Sequence, residues 1–257
     1  MIPTRRATVA AIAALGLAGQ ARAADSPVVA AAADLASALP EVAAAFQRRS
    51  GKSVKLVFGS SGGFTQQILA GAPFEVFLSA DEGYVAKLAR AGRTEGPGEL
   101  YAIGRIGLFL PDGSPLKNDM SLQDLGRAAQ DGRLTRFAIP NPEHAPYGRA
   151  ARQALEHAGV WAAVRPKLVL GENVGQTTQF AASGSTQGGI IPLSLAAEPE
   201  VKRKGKFVLI PDDYYEPLRQ RAALIKHVGP TARAFYGFLQ TPEARAILAT
   251  YGFALPR

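Results

Sequence analysis

The segment VKLVFGSSGGFTQQILAG, residues 54–71, holds a strand, a turn and a helix in one short stretch. VKLVF predicts a strand and FTQQILAG predicts a helix that stops at glycine, with Ser60 and Ser61 in the turn between them. The turn has two interpretations. As G-x-S-x-G it is the nucleophile elbow of a serine hydrolase with Ser61 as nucleophile. As a Ser/Gly loop that opens a helix, it is an anion site made of backbone N–H groups and hydroxyls.

The same alternation of strand and helix extends on both sides of this unit. PVVAAAA before it and FEVFLSA after it predict strands, whereas LASALPEVAAAFQRRSG and EGYVAKLARAG predict helices that end at glycine. Repeated units of this kind are typical of an α/β protein with mainly parallel sheets flanked by helices.

The alternation restarts near residue 101, which predicts a second lobe. Extended segments near residues 101–110 and 207–226 are expected to cross between the lobes, and the two C-terminal helical segments to return to the first lobe. The predicted boundaries are 24–104 with 215–257 for lobe I, and 105–214 for lobe II.

The N-terminus has the layout of a secretory signal peptide. Arg5 and Arg6 precede the apolar run ATVAAIAALGLAG, and ARA precedes Ala24, so residues 1–23 are the predicted leader. The arginine pair leaves both general secretion and twin-arginine export open. The apolar run is shorter than the roughly 20 residues that span a bilayer. Because the chain has no cysteine, we expect a periplasmic protein without disulfides or a lipidated cysteine anchor.

Charge and histidine content argue against several classes of protein. Loss of Arg5, Arg6 and Arg22 with the leader lowers the formal net charge from +8 to +5. The one dense basic run, VKRKGKF, is typical of a solvated turn, so nucleic-acid binding is not expected. The three histidines have no metal-ligand spacing, and neither a metal site nor a cofactor is predicted.

Four predicted strand-to-helix junctions carry unusual polar residues. Asp34 is placed to cap the helix that runs through Phe46, and Ser60 or Ser61 to cap the next. In the second half, Pro146 starts a helix from which Tyr147 projects.

The fourth junction is a capping-box pattern. Asn173 precedes Gln176 by three positions, and Val174 is the first residue inside the helix. Helix starts present unpaired N–H groups and the positive end of the helix dipole. If the four starts met at one cleft, they would form a neutral cage for a compact anion.

The hydrolase interpretation requires an acid and then a histidine after Ser61. Asp212 or Asp213, followed by His227, satisfy this order. However, only two predicted strands precede Ser61, fewer than precede an α/β-hydrolase nucleophile, and no H-G-G-G oxyanion loop occurs upstream. We therefore expect Ser61 to donate to an oxyanion and the protein not to be an enzyme.

Several long motifs in order resemble the substrate-binding protein of bacterial molybdate ABC transporters. They are VVAAAADLASALPEVAAAF, FGSSGGFTQQILAGAPFEVFLSAD, NPEHAPYGRAARQALEHAG, LGENVGQTTQF, GGIIPLSLA and YGF near the C-terminus. The resemblance covers nearly all of the mature chain. It implies a two-lobed periplasmic binding protein of type II that closes on molybdate or tungstate and delivers it to a membrane permease. It also implies a monomer.

In such proteins hydroxyls and backbone amides hold the oxyanion without a formal positive charge. By this resemblance, the ligand positions fall on Ala33, Asp34, Ser60, Ser61, Tyr147 and Val174. A tyrosine that some members use in the last loop is Pro192 here, and Tyr147 could replace its hydroxyl.

Asp34 departs from the serine or asparagine of the family, because an ionised carboxylate only accepts hydrogen bonds and repels a dianion. Two hypotheses follow. Either the Asp34 side chain caps its own helix while only amides face the ligand, which we favour, or the pocket takes a different small anion or solute.

Overall fold

The computed structural model describes residues 26–256, so the predicted leader lies outside the described residues. Within that range there are ten strands: β1 (Val28–Ala32), β2 (Lys55–Gly59), β3 (Val76–Ser79), β4 (Glu99–Gly104), β5 (Ile106–Pro111), β6 (Phe137–Pro140), β7 (Leu168–Gly171), β8 (Gly189–Pro192), β9 (Gly205–Leu209) and β10 (Leu218–Leu224).

Eleven α-helices connect these strands in the same range. They are α1 (Ala38–Ser50), α2 (Ser61–Leu69), α3 (Glu82–Arg90), α4 (Gln123–Asp131), α5 (Pro146–His157), α6 (Trp161–Val164), α7 (Val174–Ala182), α8 (Leu193–Ala196), α9 (Pro199–Lys202), α10 (Pro230–Phe238) and α11 (Pro242–Thr250). None of the described helices is long and apolar enough to cross a membrane.

The strands form two five-stranded sheets with the same pattern of directions. The first has the order β2-β1-β3-β10-β4 and the second β7-β6-β8-β5-β9. In the first, β1 is parallel to β2 and β3, while β10 is antiparallel to β3 and β4. In the second, β6 is parallel to β7 and β8, while β5 is antiparallel to β8 and β9. The two-lobed α/β architecture is confirmed: in each sheet four strands run in one direction, and one strand, β10 or β5, opposes both of its neighbours.

The chain changes sheets at two places. Arg105 alone separates β4 of the first sheet from β5 of the second, and the return lies between Leu209 and Leu218. The predicted extended segment near residues 101–110 is thus two strands in different sheets.

Apolar residues cover both faces of the first sheet, which explains the continuous apolar strands in the sequence. On one face, Val29 packs with Phe46 of α1, Phe235 of α10 and Leu248 of α11. The C-terminal helices therefore lie against the first sheet. On the other face, Ala30 and Phe77 pack with residues of α2 and α3.

Candidate functional site

The ends of several strands and the starts of several helices meet at one cavity between the two sheets. The cavity is lined by Ala32, Ala33, Asp34, Gly59, Ser60, Ser61, Ala80, Ala145, Pro146, Tyr147, Asn173 and Val174. All six predicted ligand positions are among these residues. In α/β folds, ligands bind at such crevices outside the carboxyl ends of the strands.

The turn between β2 and α2 presents two hydroxyls that differ in role. Ser60 is the N-cap of α2, and its Oγ accepts a hydrogen bond from the Gly63 amide at 3.2 Å. Ser61 is the first helical residue and is 1% exposed. Its Oγ accepts a hydrogen bond from the Ala80 amide at 3.0 Å, so the hydroxyl proton points away from that amide and can be donated to a ligand.

The histidine near this turn pairs with Ser60 rather than with Ser61. His144 Nδ1 lies 3.2 Å from Ser60 Oγ, and its Nε2 lies 3.5 Å from an oxygen of the largely exposed Glu172. The residues that the hydrolase interpretation would require, Asp212 and His227, do not line the cavity. Within the described residues 26–256, no histidine forms a hydrogen bond with Ser61, whose Oγ bonds to the Ala80 amide instead.

Asp34 does not cap a helix, and the favoured hypothesis about its side chain is wrong. Asp34 lies in a single 3-10 turn, Ala33–Leu35, and α1 begins only at Ala38, with Ser37 as its N-cap residue. Asp34 therefore lies in the turn before α1, and its carboxylate accepts hydrogen bonds from side chains rather than from the amides of α1. Oδ2 accepts from the Tyr147 hydroxyl at 2.8 Å and from Gln220 Nε2 at 2.5 Å.

The second oxygen of Asp34 has no partner. Asp34 is fully buried, and Oδ1 makes no hydrogen bond with any described residue. Burial raises the pKa of Asp34 to about 6, although the hydrogen bonds from Gln220 and Tyr147 act to lower it. Burial, together with the nearby Asp34 carboxylate, holds the pKa of Tyr147 well above its usual value.

Gln220 and Tyr101 belong to the same hydrogen-bond network and were missed in the sequence. The Tyr101 hydroxyl donates to Gln220 Oε1 at 2.7 Å, which orients the amide so that its nitrogen faces Asp34. The sequence offered one signal for Gln220. In LRQRAAL, apolar and charged residues alternate, and this alternation places Gln220 on the buried face of the strand, between Arg219 and Arg221.

Gly104 makes room for this network. A Cβ atom at Gly104 would lie 2.1 Å from the Tyr147 hydroxyl oxygen and 2.9 Å from Gln220 Nε2. Only glycine fits this close approach.

Two helix starts that belong to the second sheet's half of the chain lie at the cavity, a convergence that the sequence left open. Pro146 is the first residue of α5, and Val174 is the first residue of α7. Asn173 caps α7 by accepting from the Gln176 amide at 3.1 Å. Gln176 Oε1 in turn accepts from the Glu172 amide at 2.7 Å, one residue earlier than an ideal capping box requires.

Backbone groups join the two sides of the cavity in this structure. The Gly62 amide donates to the His144 carbonyl at 3.0 Å, and Ser194 Oγ donates to the Asp34 carbonyl at 2.7 Å. The side chain of Pro192, which replaces a tyrosine expected from the resemblance, offers no donor and does not line the cavity.

The remaining predicted absences concern metal and nucleic acid. No cluster of three or more His, Cys, Asp or Glu suited to a cation occurs among residues 26–256. The basic run lies at the end of α9 and the start of β9, where Arg203 pairs with Glu200.

The chain has two mixed sheets flanked by helices and crosses between them twice, and helix starts from both halves surround one cavity. This arrangement defines the class of two-lobed solute-binding proteins. A sequence profile of the bacterial extracellular solute-binding protein family matches residues 27–254, and the chain belongs to this family. The fold and the family are those of a non-enzymatic binding component.

Individual relatives agree with this assignment. The chain is 37% identical over 254 residues to the molybdate-binding protein ModA of Rhodobacter capsulatus, covering 97% of this chain and 96% of the relative. It is 36% identical over 230 residues to ModA of Azotobacter vinelandii, covering 88% of this chain and 89% of the relative. The solved periplasmic molybdate-binding protein of Azotobacter vinelandii superposes with a TM-score of 0.79 at 31% identity, covering 90% of this chain and 100% of that chain.

Proposed function

We propose that the protein captures molybdate or tungstate in the periplasm and delivers it to the permease of an ABC transporter. The observation that carries the proposal is the convergence of neutral donors from both sheets on one cavity, in a chain 37% identical to a molybdate-binding protein. Residues 1–23 would serve as the export leader, and the mature chain would act as a monomer.

The proposed ligand residues are Ala33, Asp34, Ser60, Ser61, Tyr147 and Val174, all of which line the cavity. The helix starts at Ser61 and Val174 place backbone amides and positive dipole ends beside it. Neutral donors in a buried site interact with a dianion more strongly than they would in water.

Capture would proceed by closure of two lobes on the anion. We assign residues 24–104 and 215–257 to lobe I and residues 105–214 to lobe II, which agrees with the sheet to which each strand belongs. A ligand that bridges donors of both lobes favours the closed arrangement over an open one.

The carboxylate of Asp34 supports a second candidate within the same class. Because Asp34 lines the cavity instead of capping a helix, the pocket could prefer an oxyanion other than molybdate. The two candidates differ in ligand and share the fold, the closure and the transport role.

A thermal-shift panel on residues 24–257 separates the candidates. Molybdate and tungstate at 100 times their Kd should raise the Tm by about 5 to 10 °C. Sulfate, phosphate and chromate should produce much smaller shifts, since a cage of fixed neutral donors distinguishes anions by radius. A shift with one of those three and none with molybdate would establish the second candidate, and no shift with any anion would refute both.

A further inference from the structure

The unpartnered oxygen of Asp34 is the least expected polar group in the cavity. Buried side-chain oxygens nearly always have a hydrogen-bond partner. Asp34 Oδ2 has two donors, Tyr147 and Gln220, whereas Oδ1 has none among the described residues. Since Asp34 also lines the cavity, the missing partner of Oδ1 is best supplied by the ligand.

Among residues 26–256, no Lys, Arg or His side chain contacts the Asp34 carboxylate. Tyr147 of α5 and Gln220 of β10 contact its side chain, and Tyr101 of β4 contacts Gln220. Ser194 of α8 contacts only its backbone carbonyl.

Two further titratable groups lie near this network. The Tyr215 hydroxyl lies beyond Tyr147, and its pKa, like those of Tyr101 and Tyr147, is raised mainly by burial. His144 lies beside Ser60 at the other end of the cavity. A test of Asp34 therefore includes a substitution of His144, an ionisable side chain beside a cavity residue.

We propose that the cavity binds a tetrahedral oxyanion together with one proton, which lies between Asp34 Oδ1 and an oxygen of the ligand. This inference rests on the proposed function, and its new element is the proton that binds together with the oxyanion. When Asp34 is protonated before binding, its O–H donates to the dianion and no proton is exchanged with solvent. When Asp34 is ionised, one proton is taken up from solvent as the anion binds.

The size of the repulsion explains why the proton is retained. At the effective dielectric constant of about 20 that applies even to buried protein sites, two like unit charges about 4 Å apart weaken binding on the order of 1000-fold, and a dianion doubles the charge product. Taking up a proton two pH units above the pKa of Asp34 weakens binding only about 100-fold. Uptake of the proton is the smaller penalty across the neutral range.

The affinity for molybdate should therefore fall about tenfold per pH unit above pH 7, because each bound anion brings one proton. Titration calorimetry of molybdate into residues 24–257 from pH 6.5 to pH 8.5, in two buffers of different protonation enthalpy, measures both the Kd and the proton uptake. Uptake should approach one proton at pH 8.

Asp34→Asn should abolish the proton uptake and flatten the pH dependence, because its amide donates to the dianion without a proton. At pH 8 it should bind more tightly than the wild type. Asp34→Ser gives the same readout with a smaller side chain, should the amide disturb the fold. Asp112→Asn removes an exposed carboxylate and is the matched control, with wild-type uptake expected.

The other outcomes are decisive as well. Binding at pH 8 without proton uptake, or uptake lost in His144→Gln and kept in Asp34→Asn, would overturn the inference. If molybdate gives no heat at any pH, the proposed function fails instead, and inorganic phosphate in the same series then tests the proton. Binding of neither anion would overturn both.

Discussion

The Ser61 hydroxyl is held in place by a backbone amide. The Ala80 amide donates to its Oγ at 3.0 Å, so the proton is available to a ligand oxygen without reorganisation. Ser61→Ala removes this donor to a charged group and should weaken molybdate binding at least tenfold. It also leaves the buried Ala80 amide without this acceptor, which should cost about 1 to 3 kcal/mol of unfolding free energy.

Calorimetry and denaturant unfolding measure the two effects of Ser61→Ala separately. Ser185→Ala is the control, because Ser185 is exposed and its hydroxyl bonds only within its own turn. An unchanged Kd in Ser61→Ala would exclude Ser61 from the ligand site.

Gly104 allows a prediction that needs no ligand. Gly104→Ala would place a methyl group 2.1 Å from the Tyr147 hydroxyl oxygen, and overpacking of this kind costs about 1 to 3 kcal/mol of unfolding free energy. Tyr147→Phe removes the nearest clashing atom and also the hydrogen bond to Asp34, so the double variant should lose less stability than the sum of the two single losses. Gly237→Ala is the control, because a Cβ at Gly237 meets no atom within 4 Å.

Unfolding in urea checks this pair of substitutions. Losses in the double variant that equal the sum of the losses in Gly104→Ala and Tyr147→Phe would mean that the Tyr147 hydroxyl does not lie against Gly104 in solution.

Some residues of the site could be predicted from the sequence and others could not. Ser60, Ser61 and Val174 could be placed at helix starts because capping chemistry is local. The hydrogen-bond partners of Asp34 could not be predicted, because Tyr147 and Gln220 are far from it along the chain. The 3-10 turn that holds Asp34 before α1 also has no sequence signal.

At the scale of secondary-structure elements, α7 links helix capping to binding. Asn173→Ala removes the cap on the Gln176 amide and should cost about 1 kcal/mol of stability. Because the first turn of α7 borders the cavity, its fraying should also weaken molybdate binding severalfold.

Thr241→Ala is the matched control for Asn173→Ala. Thr241 caps α11 through the Ala244 amide at 3.3 Å, and it does not line the cavity. Calorimetry should show similar stability losses in both variants and an affinity loss only in Asn173→Ala. Equal affinities would remove the α7 start from the binding site.

Element type was predictable, and sheet membership was less so. The helix ends at Gly51 and the proline starts of α5, α10 and α11 follow from strong local preferences. The break at Arg105 carries no such preference, so β4 and β5 were predicted as one extended segment. Strand direction depends on non-local partners, so the sequence did not identify β5 and β10 as the strands that oppose their neighbours.

Across the whole molecule, side chains outside the cavity lining connect the two sheets. Arg149 of α5 forms an ion pair with Asp81, which follows β3, and Ser37 donates to Glu198. Both contacts join an element of one sheet to an element of the other, and neither pair lines the cavity, so they favour this arrangement of the two sheets independently of the ligand residues. A closed state that is already populated reduces the binding energy that closure consumes.

Arg149→Gln tests this contribution to closure. The pair is partly exposed, with Arg149 at 41% and Asp81 at 20% side-chain exposure, so its loss should cost about 0.2 to 1 kcal/mol. That energy lowers the closed population and should raise the Kd for molybdate by roughly twofold to fivefold. Without ligand, small-angle X-ray scattering should show a larger radius of gyration, and saturating molybdate should restore the wild-type value.

Arg152→Gln, also on α5, controls for loss of an arginine. Arg152 pairs with Glu156 of its own helix and contacts Trp161, so it connects no two sheets and should leave both the Kd and the scattering unchanged. The substitution is made at Arg149 rather than at Asp81, because Asp81 also caps α3 through the Gly83 amide at 2.6 Å. If Arg149→Gln and Arg152→Gln behave alike, closure depends on the buried contacts of Asp34 and His144 rather than on the ion pair of Arg149.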